Sequence, residues 1–86
     1  SDITTKAASV GVAITKEGQV VLAGKIMATE TLNAELARYS KESPETNFLI
    51  SADTDARHGD VVRLIDLLKR NNLNRFALQV EKIKDQ

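Results

Sequence analysis

The stretch FLISADTDARHGDVVRLIDLLKRNNLNRFALQVE, residues 48–81, decides the fold. Its continuous apolar start predicts a strand over 48–52 that is covered on at least one face. Its alternating end predicts a second strand over 76–81. Between them, residues 59–71 carry apolar side chains at the spacing of one helix face: Val61, Leu64, Ile65 and Leu68. Strand, helix and strand in this order predict a βαβ unit with parallel strands and a right-handed crossover.

The first third of the chain predicts a β-meander. Residues 10–15 alternate apolar and small side chains, which is the period of a half-buried strand. A tight turn at Lys16-Glu17-Gly18 leads into a second strand over 19–23, because Gly18 is free to adopt a positive φ. A brief third strand is predicted at 26–27.

A helix is predicted between this meander and the βαβ unit. Leu32, Leu36 and Tyr39 lie at i, i+4 and i+7 and form a narrow apolar stripe. Thr29 is the predicted N-cap, because a side-chain oxygen at that position accepts a backbone N–H of the first turn. The helix should end just before Pro44, since proline disfavours helical backbone angles in the residue that precedes it.

The predicted fold class is α/β (α+β), that is, one sheet packed against helices. It is a mixed four- to five-stranded sheet with two helices on one face, containing one βαβ unit. A chain of 86 residues holds one domain with a thin core. We expect this domain to span 10–81, with a polar linker or arm over 1–9 and a charged tail over 82–86.

The composition excludes several functional classes. The chain carries 12 basic and 12 acidic residues, whereas a dedicated nucleic-acid-binding domain needs a basic surplus. An aromatic fraction of 3% is too small for stacking platforms that bind single strands. Because the sequence contains no cysteine, it can form neither a disulfide framework nor a thiolate metal site.

No segment of the sequence is long and apolar enough to span a membrane. The longest stretch without a charged residue is Ala7–Thr15, whereas a spanning helix needs about 20 apolar residues. The start also lacks the features of a signal peptide and an initiator Met. We therefore expect a fragment of a longer chain in which a transmembrane helix precedes residue 1.

His58 is the single histidine and the candidate for a general base. Its possible nucleophile, Ser51, lies in a predicted strand rather than in a strained turn, and no G-x-S-x-G motif is present. A polar residue that opens a helix is therefore a better interpretation of His58 than a member of a catalytic triad. We predict that the chain is not an enzyme.

Three aspartates, Asp53, Asp55 and Asp60, suggest a calcium loop. An EF-hand loop that began at Asp53 would need glycine at its sixth position, and that position holds His58. The acidic residues are explained by their favourable interaction with the start of a helix. We predict no metal and no cofactor.

Three segments carry a resemblance to a known family: FLISADTD at 48–55, GDVVRLIDLL at 59–68 and LNRFAL at 73–78. In the periplasmic domain of the ExbD/TolR family, a strand that ends in Ala-Asp leads through an acidic loop to a similar helix. A short turn and a further strand follow in that family. The upstream order of strands, turn, helix and proline is also similar, so the chain resembles this family from residue 10 to 81.

The resemblance implies a periplasmic domain that belongs to a single-pass subunit of the cell inner membrane. Such a subunit works with a multi-span ExbB/TolQ-like partner in a complex driven by the proton-motive force, of the ExbB-ExbD-TonB or TolQ-TolR-TolA type. The domain would form a homodimer and bind a TonB- or TolA-like protein or peptidoglycan. A stand-alone small α/β enzyme and another cell-wall-binding module remain the alternatives.

We expect partners to bind by strand addition at an edge of the sheet rather than in a pocket. The first and last strands contain no proline, so either could offer unpaired backbone groups to another chain. The candidate contact residues are Val10, Val12, Ile14, Phe76, Leu78 and Val80. The alternative is that the arm 1–9 shields these edges.

Overall fold

A computed structural model describes residues 9–82, which form five strands and two helices. The described part begins at the first strand, so arm residues 1–8 and tail residues 83–86 lie outside it. In chain order the elements are β1 (Ser9–Ile14), β2 (Val20–Leu22), β3 (Lys25–Met27), α1 (Thr29–Glu42), β4 (Asn47–Asp53), α2 (His58–Arg70) and β5 (Phe76–Glu81).

The five strands form one mixed sheet in the order β3-β2-β1-β4-β5. The meander β1-β2-β3 is antiparallel, as its short turns require. The pairs β1–β4 and β4–β5 are parallel. Helix α2 connects β4 directly to β5, whereas α1 connects β3, which runs in the same direction as β1, to β4. The predicted mixed sheet and the parallel pairing within the βαβ unit are both confirmed.

The position of β1 corrects one prediction. This strand pairs with β4 from Ser9 to Ile14 and with β2 from Val12 to Ile14, so it lies in the interior of the sheet. Val10, Val12 and Ile14 were expected at a possible edge, and that expectation is wrong. The crossover through α1 brings β4 to the side of β1 that the meander leaves open, and both sides of β1 are then occupied.

A single apolar core lies between the sheet and the two helices. Helix α1 contributes Leu32 and Leu36, and α2 contributes Leu64 and Leu68. The sheet contributes alternate residues of its central strands to the same cluster: Val12, Ile14, Leu22, Phe48, Ile50 and Ala52. Both helices therefore cover the same face, as predicted. No helix of the described part covers the opposite face, which carries the exposed Ile26 and Leu49.

The helix boundaries differ slightly from the predicted ones. Thr29 is the first residue of α1 rather than its N-cap, which is Ala28 and makes no side-chain capping hydrogen bond. The helix ends at Glu42, with Ser43 as C-cap, directly before Pro44. After α2, Asn72 adopts a left-handed φ of 60°, because asparagine tolerates this conformation better than other side chains do.

Neither α1 nor α2, the two helices of residues 9–82, has the length and apolar character that a membrane-spanning helix requires.

Candidate interaction edge

Strand β5 is an outer strand of the sheet. It pairs with β4 on one side, and within residues 9–82 no strand pairs with its other side. The opposite outer strand, β3, has three residues and begins with Lys25, so its short length and its charge make it a poor template for strand addition. Strand β5 has six residues and no proline, and it is therefore the better candidate edge.

Every second residue of β5 directs its backbone N–H and C=O groups away from the sheet. Arg75 O accepts a hydrogen bond from Phe48 N at 2.9 Å, and Glu81 O accepts one from Thr54 N at 3.2 Å. Because the N–H and C=O of one strand residue point to the same side, odd-numbered residues of β5 face β4. The N–H and C=O groups of Phe76, Leu78 and Val80 therefore point away from the sheet. We call these three residues the β5 edge.

The side chains of the β5 edge form an apolar strip on the helix-bearing face. Leu78 pairs with Ile50 and Val80 pairs with Ala52, so each pair shares that face. Ile50 and Ala52 are 1% exposed, whereas Leu78 and Val80 are 45% and 61% exposed. The helices thus cover β4 and leave Leu78 and Val80 open, whereas Phe76 is half-buried against the core. Unpaired backbone groups and exposed apolar side chains coincide along one strand, as strand addition requires.

A shallow cleft of about 370 Å³ lies beside the start of this edge. Ser9 pairs with Asn47, and Asn47 lies opposite Arg75 by continuation of the β4–β5 register. The three side chains form one cross-strand row on the helix-free face, and Asn74 extends the polar lining. Arg75 does not stand out in the sequence, because one basic residue before a strand indicates no site until the neighbouring strand is known.

The residues considered for catalysis or metal binding do not form a common site. His58 is exposed at the first position of α2, and Ser51 is half-buried in β4. Asp53 is buried, and its Oδ1 accepts a hydrogen bond from Asp55 N at 2.8 Å. Asp60 accepts one from Arg63 at 3.1 Å. Among residues 9–82, no three His, Cys, Asp or Glu side chains are placed to share a metal ion.

Comparison with known proteins identifies the family. The family model described as biopolymer transport protein ExbD/TolR matches residues 1–82. The chain is also similar to the biopolymer transport protein exbD2 of Vibrio cholerae serotype O1, with 29% identity over 80 residues. That alignment covers 93% of the chain but 60% of the relative, so the chain spans about three fifths of the relative's length. The resemblance found in the sequence is confirmed, and the chain belongs to the ExbD/TolR family.

Proposed function

We propose that the chain is the periplasmic domain of a single-pass inner-membrane subunit in an energy-transducing complex driven by the proton-motive force. Membership of the ExbD/TolR family supports this proposal, and the complex would be of the ExbB-ExbD-TonB or TolQ-TolR-TolA type. In the whole protein, a transmembrane helix would precede residue 1 and carry the proton chemistry through contact with an ExbB/TolQ-like subunit. Residues 1–9 would be the linker, 10–81 the domain and 82–86 a charged tail.

The domain would act by binding rather than by catalysis. The observation that supports this most directly is the β5 edge, where unpaired backbone groups and exposed apolar side chains coincide. Its occupants would be a second copy of the domain and a TonB- or TolA-like protein or peptidoglycan. A stand-alone enzyme is the weaker alternative, because Ser51 is half-buried in β4 whereas His58 is exposed at the start of α2.

Two copies of β5 are complementary when they run antiparallel with Leu78 opposite Leu78. Phe76 then lies opposite Val80 of the second copy, and all three edge residues use their outward N–H and C=O groups. The apolar strips of the two copies adjoin on the helix-bearing face. Arg75 lies opposite Glu81 of the second copy on the other face. A two-fold dimer repeats each of these pairs, because its interface is self-complementary.

Cysteine cross-linking at the two-fold position tests this proposal. The chain lacks cysteine, so Leu78→Cys introduces a single thiol. Opposed Cβ atoms in a hydrogen-bonded antiparallel pair are about 5.5 Å apart, which is long for a disulfide but suits a short bifunctional thiol reagent. We expect Leu78→Cys to form a covalent dimer with such a reagent.

The control is Ile26→Cys on the other outer strand, at a side chain that is 65% exposed. We expect this variant to form far less covalent dimer than Leu78→Cys. Equal cross-linking of both variants, together with sedimentation of the unmodified chain as a monomer, would contradict dimerisation through β5.

A further inference from the structure

The three parallel strands begin at one end of the sheet, and both helices finish at that end. Ser9, Asn47 and Arg75 form the first cross-strand row of the parallel part of the sheet. Helix α1 ends at residue 42 and β4 begins at 47, while α2 ends at 70 and β5 begins at 76. We call this part of the molecule, residues 41–47 and 69–75 together with Ser9, the strand-start end.

The strand-start end carries an excess of positive charge. Its basic side chains, all of them exposed, are Lys41, Lys69, Arg70 and Arg75. Arg70 pairs with Asp66 at 3.5 Å, but within residues 9–82 no ion pair neutralises the other three. The acidic residues of this end are Glu42, which pairs with Arg38 at 3.2 Å, and Glu45. Three unpaired cations therefore stand against one unpaired carboxylate.

The opposite end of the sheet does not share this excess. Segment 53–60, where β4 finishes and α2 begins, holds three aspartates and one arginine. The six residues of β1 span about 20 Å, which is more than twice the Debye length of about 8 Å at physiological ionic strength. A charged surface in contact with one end is therefore screened from the other. For this reason a chain with a formal net charge of zero can still be attracted through its strand-start end.

The path of the chain indicates which anionic surface this end meets. Strand β1 begins at Ser9, so residues 1–8 and any segment before residue 1 are attached to the strand-start end. Under the proposed function a transmembrane helix precedes residue 1, and the membrane is then the surface to which this end is tethered. A tether raises the effective concentration of the lipid headgroups, so a weak attraction is sufficient for contact.

We propose that the strand-start end is a docking surface for anionic lipid headgroups, with Lys41, Lys69 and Arg75 as the cations that contact them. This inference rests on the proposed function, because the native tether is the transmembrane helix. Each basic residue near an anionic bilayer contributes roughly a fivefold gain in affinity. Docking in this way directs the parallel strands away from the membrane. It leaves the β5 edge open along its length, so lipid contact and pairing along β5 are compatible.

Lipid nanodiscs of defined charge test the proposal. The 86-residue chain lacks cysteine, so Ser1→Cys provides one thiol for coupling to a maleimide lipid. A paramagnetic headgroup in the same nanodisc broadens the NMR signals of amides that approach the lipid surface. With phosphatidylglycerol present, we expect residues 41–47 and 69–75 to broaden far more than they do on phosphatidylcholine alone, and residues 53–60 to change little. Added salt should remove the difference between the two lipids, because it screens exposed charges.

Two double variants provide the matched comparison. Lys69→Gln with Arg75→Gln removes two exposed cations from the strand-start end, whereas Arg57→Gln with Lys82→Gln removes two exposed cations elsewhere. The first variant should lower the ratio of docked to free domain on phosphatidylglycerol by at least roughly fivefold. The second should leave that ratio unchanged. Circular dichroism of both variants confirms that they fold.

Equal broadening on the two lipids would overturn the inference, and so would equal losses in the two double variants. Isolated peptidoglycan is the other anionic surface to be compared. Binding of the chain to peptidoglycan through Lys69 and Arg75, with no preference for phosphatidylglycerol, would show that lipid is the wrong occupant. The chemical anchor replaces the transmembrane helix, and cross-linking of Leu78→Cys tests dimerisation separately. A failure of lipid docking is therefore distinguishable from a failure of the proposed function.

Discussion

Gly18 connects two distant parts of the fold. It has a φ of 87°, and a Cβ at this position would lie 2.7 Å from Oδ2 of Asp60. Asp60 is in the first turn of α2, where a carboxylate interacts favourably with the helix dipole, and Arg63 pairs with it at 3.1 Å. The turn between β1 and β2 therefore packs directly against the start of α2.

We predict that Gly18→Ala destabilises the domain by about 1–2 kcal/mol, chiefly because alanine disfavours the positive φ, and that the Asp60 carboxylate shifts to admit the Cβ. A loss of 1 kcal/mol lowers the melting temperature of a domain of this size by roughly 4–8 °C. Thermal unfolding followed by circular dichroism measures it.

Gly59→Ala is the control for this substitution. Gly59 lies in α2, and a Cβ there would meet no atom within 4 Å. Because Gly59 is the second residue of α2, this variant should keep the parent stability or gain at most about 0.5 kcal/mol, less than at an interior position. A melting temperature of Gly18→Ala equal to that of the parent chain would show that the turn rearranges freely.

At the residue scale, the sequence predicted conformations better than contacts. The turn at Gly18 followed from local composition. The approach of Gly18 to Asp60 did not, because it depends on where α2 lies over the sheet. Thr29 was predicted as an N-cap since it has a hydroxyl, but the chain enters the helix one residue earlier, at Ala28.

At the scale of the element, β1 and β5 differ in their neighbours rather than in their pattern. Both strands alternate apolar residues with other residues, so the sequence predicted each as a possible edge. The structure places β1 between β2 and β4 and places β5 on the outside. Alternation reports that a strand has two unlike faces, and it carries no information on which strand lies beside it.

Proline substitutions in β5 distinguish its two sides. We predict that Leu78→Pro folds with a modest loss of stability, because the N–H of Leu78 points to the open edge and proline is tolerated there. Gln79→Pro, one residue further on, removes an N–H that faces β4 and should be clearly more destabilising. Chemical denaturation of both variants measures the difference.

The same pair of variants bears on association. Under the proposed dimerisation through β5, Leu78→Pro should associate less than the 86-residue chain at equal concentration, as measured by sedimentation. Unfolding of Leu78→Pro at the same denaturant concentration as Gln79→Pro would mean that the backbone direction in β5 is wrongly assigned.

The exposed side of α1 carries a small ion-pair network. Arg38 donates hydrogen bonds to Glu35 at 2.7 Å and to Glu42 at 3.2 Å. The hydrogen bond to Glu35 is the main cause that raises the pKa of Arg38 above its already high ordinary value. A group whose pKa is higher in the folded state than in the unfolded state stabilises the fold fully below the unfolded-state pKa. This stabilisation is lost as the pH rises through the folded-state pKa. For Arg38 that window lies at strongly alkaline pH, so its titration leaves stability near neutral pH unchanged.

At the scale of the whole molecule, the fold class was predictable because helix and strand periods alternate clearly along the chain. The site was predictable in part: the apolar residues of the β5 edge followed from alternation, whereas Arg75 did not. Arg75 lines one cleft with Asn47 of β4 and Ser9 of β1, and both residues are far from it in sequence. A site built across strands becomes visible only when the strand order is known.

We predict that a chelator leaves the melting temperature of the 86-residue chain unchanged. Asp53 accepts a hydrogen bond from the backbone N–H of Asp55, Asp60 pairs with Arg63, and no cluster of metal-binding side chains occurs among residues 9–82. Differential scanning calorimetry with and without EDTA tests this expectation, and elemental analysis of the purified chain is the control. A fall of more than about 4 °C would indicate an ion that stabilises the fold by roughly 1 kcal/mol.

The parallel arrangement of β1, β4 and β5 has a mechanical consequence. The start of β1 and the end of β5 lie at opposite ends of the sheet, because these strands all run in one direction. A pull that enters at Ser9 and leaves through a chain bound along β5 slides the strands lengthwise past one another. The hydrogen bonds of both pairings then share the load at once, whereas a hairpin that is pulled apart at its open end loses them one by one. The domain should therefore resist a force along its strands better than a force across them. This difference concerns the rate of unfolding under force and not the equilibrium free energy of unfolding.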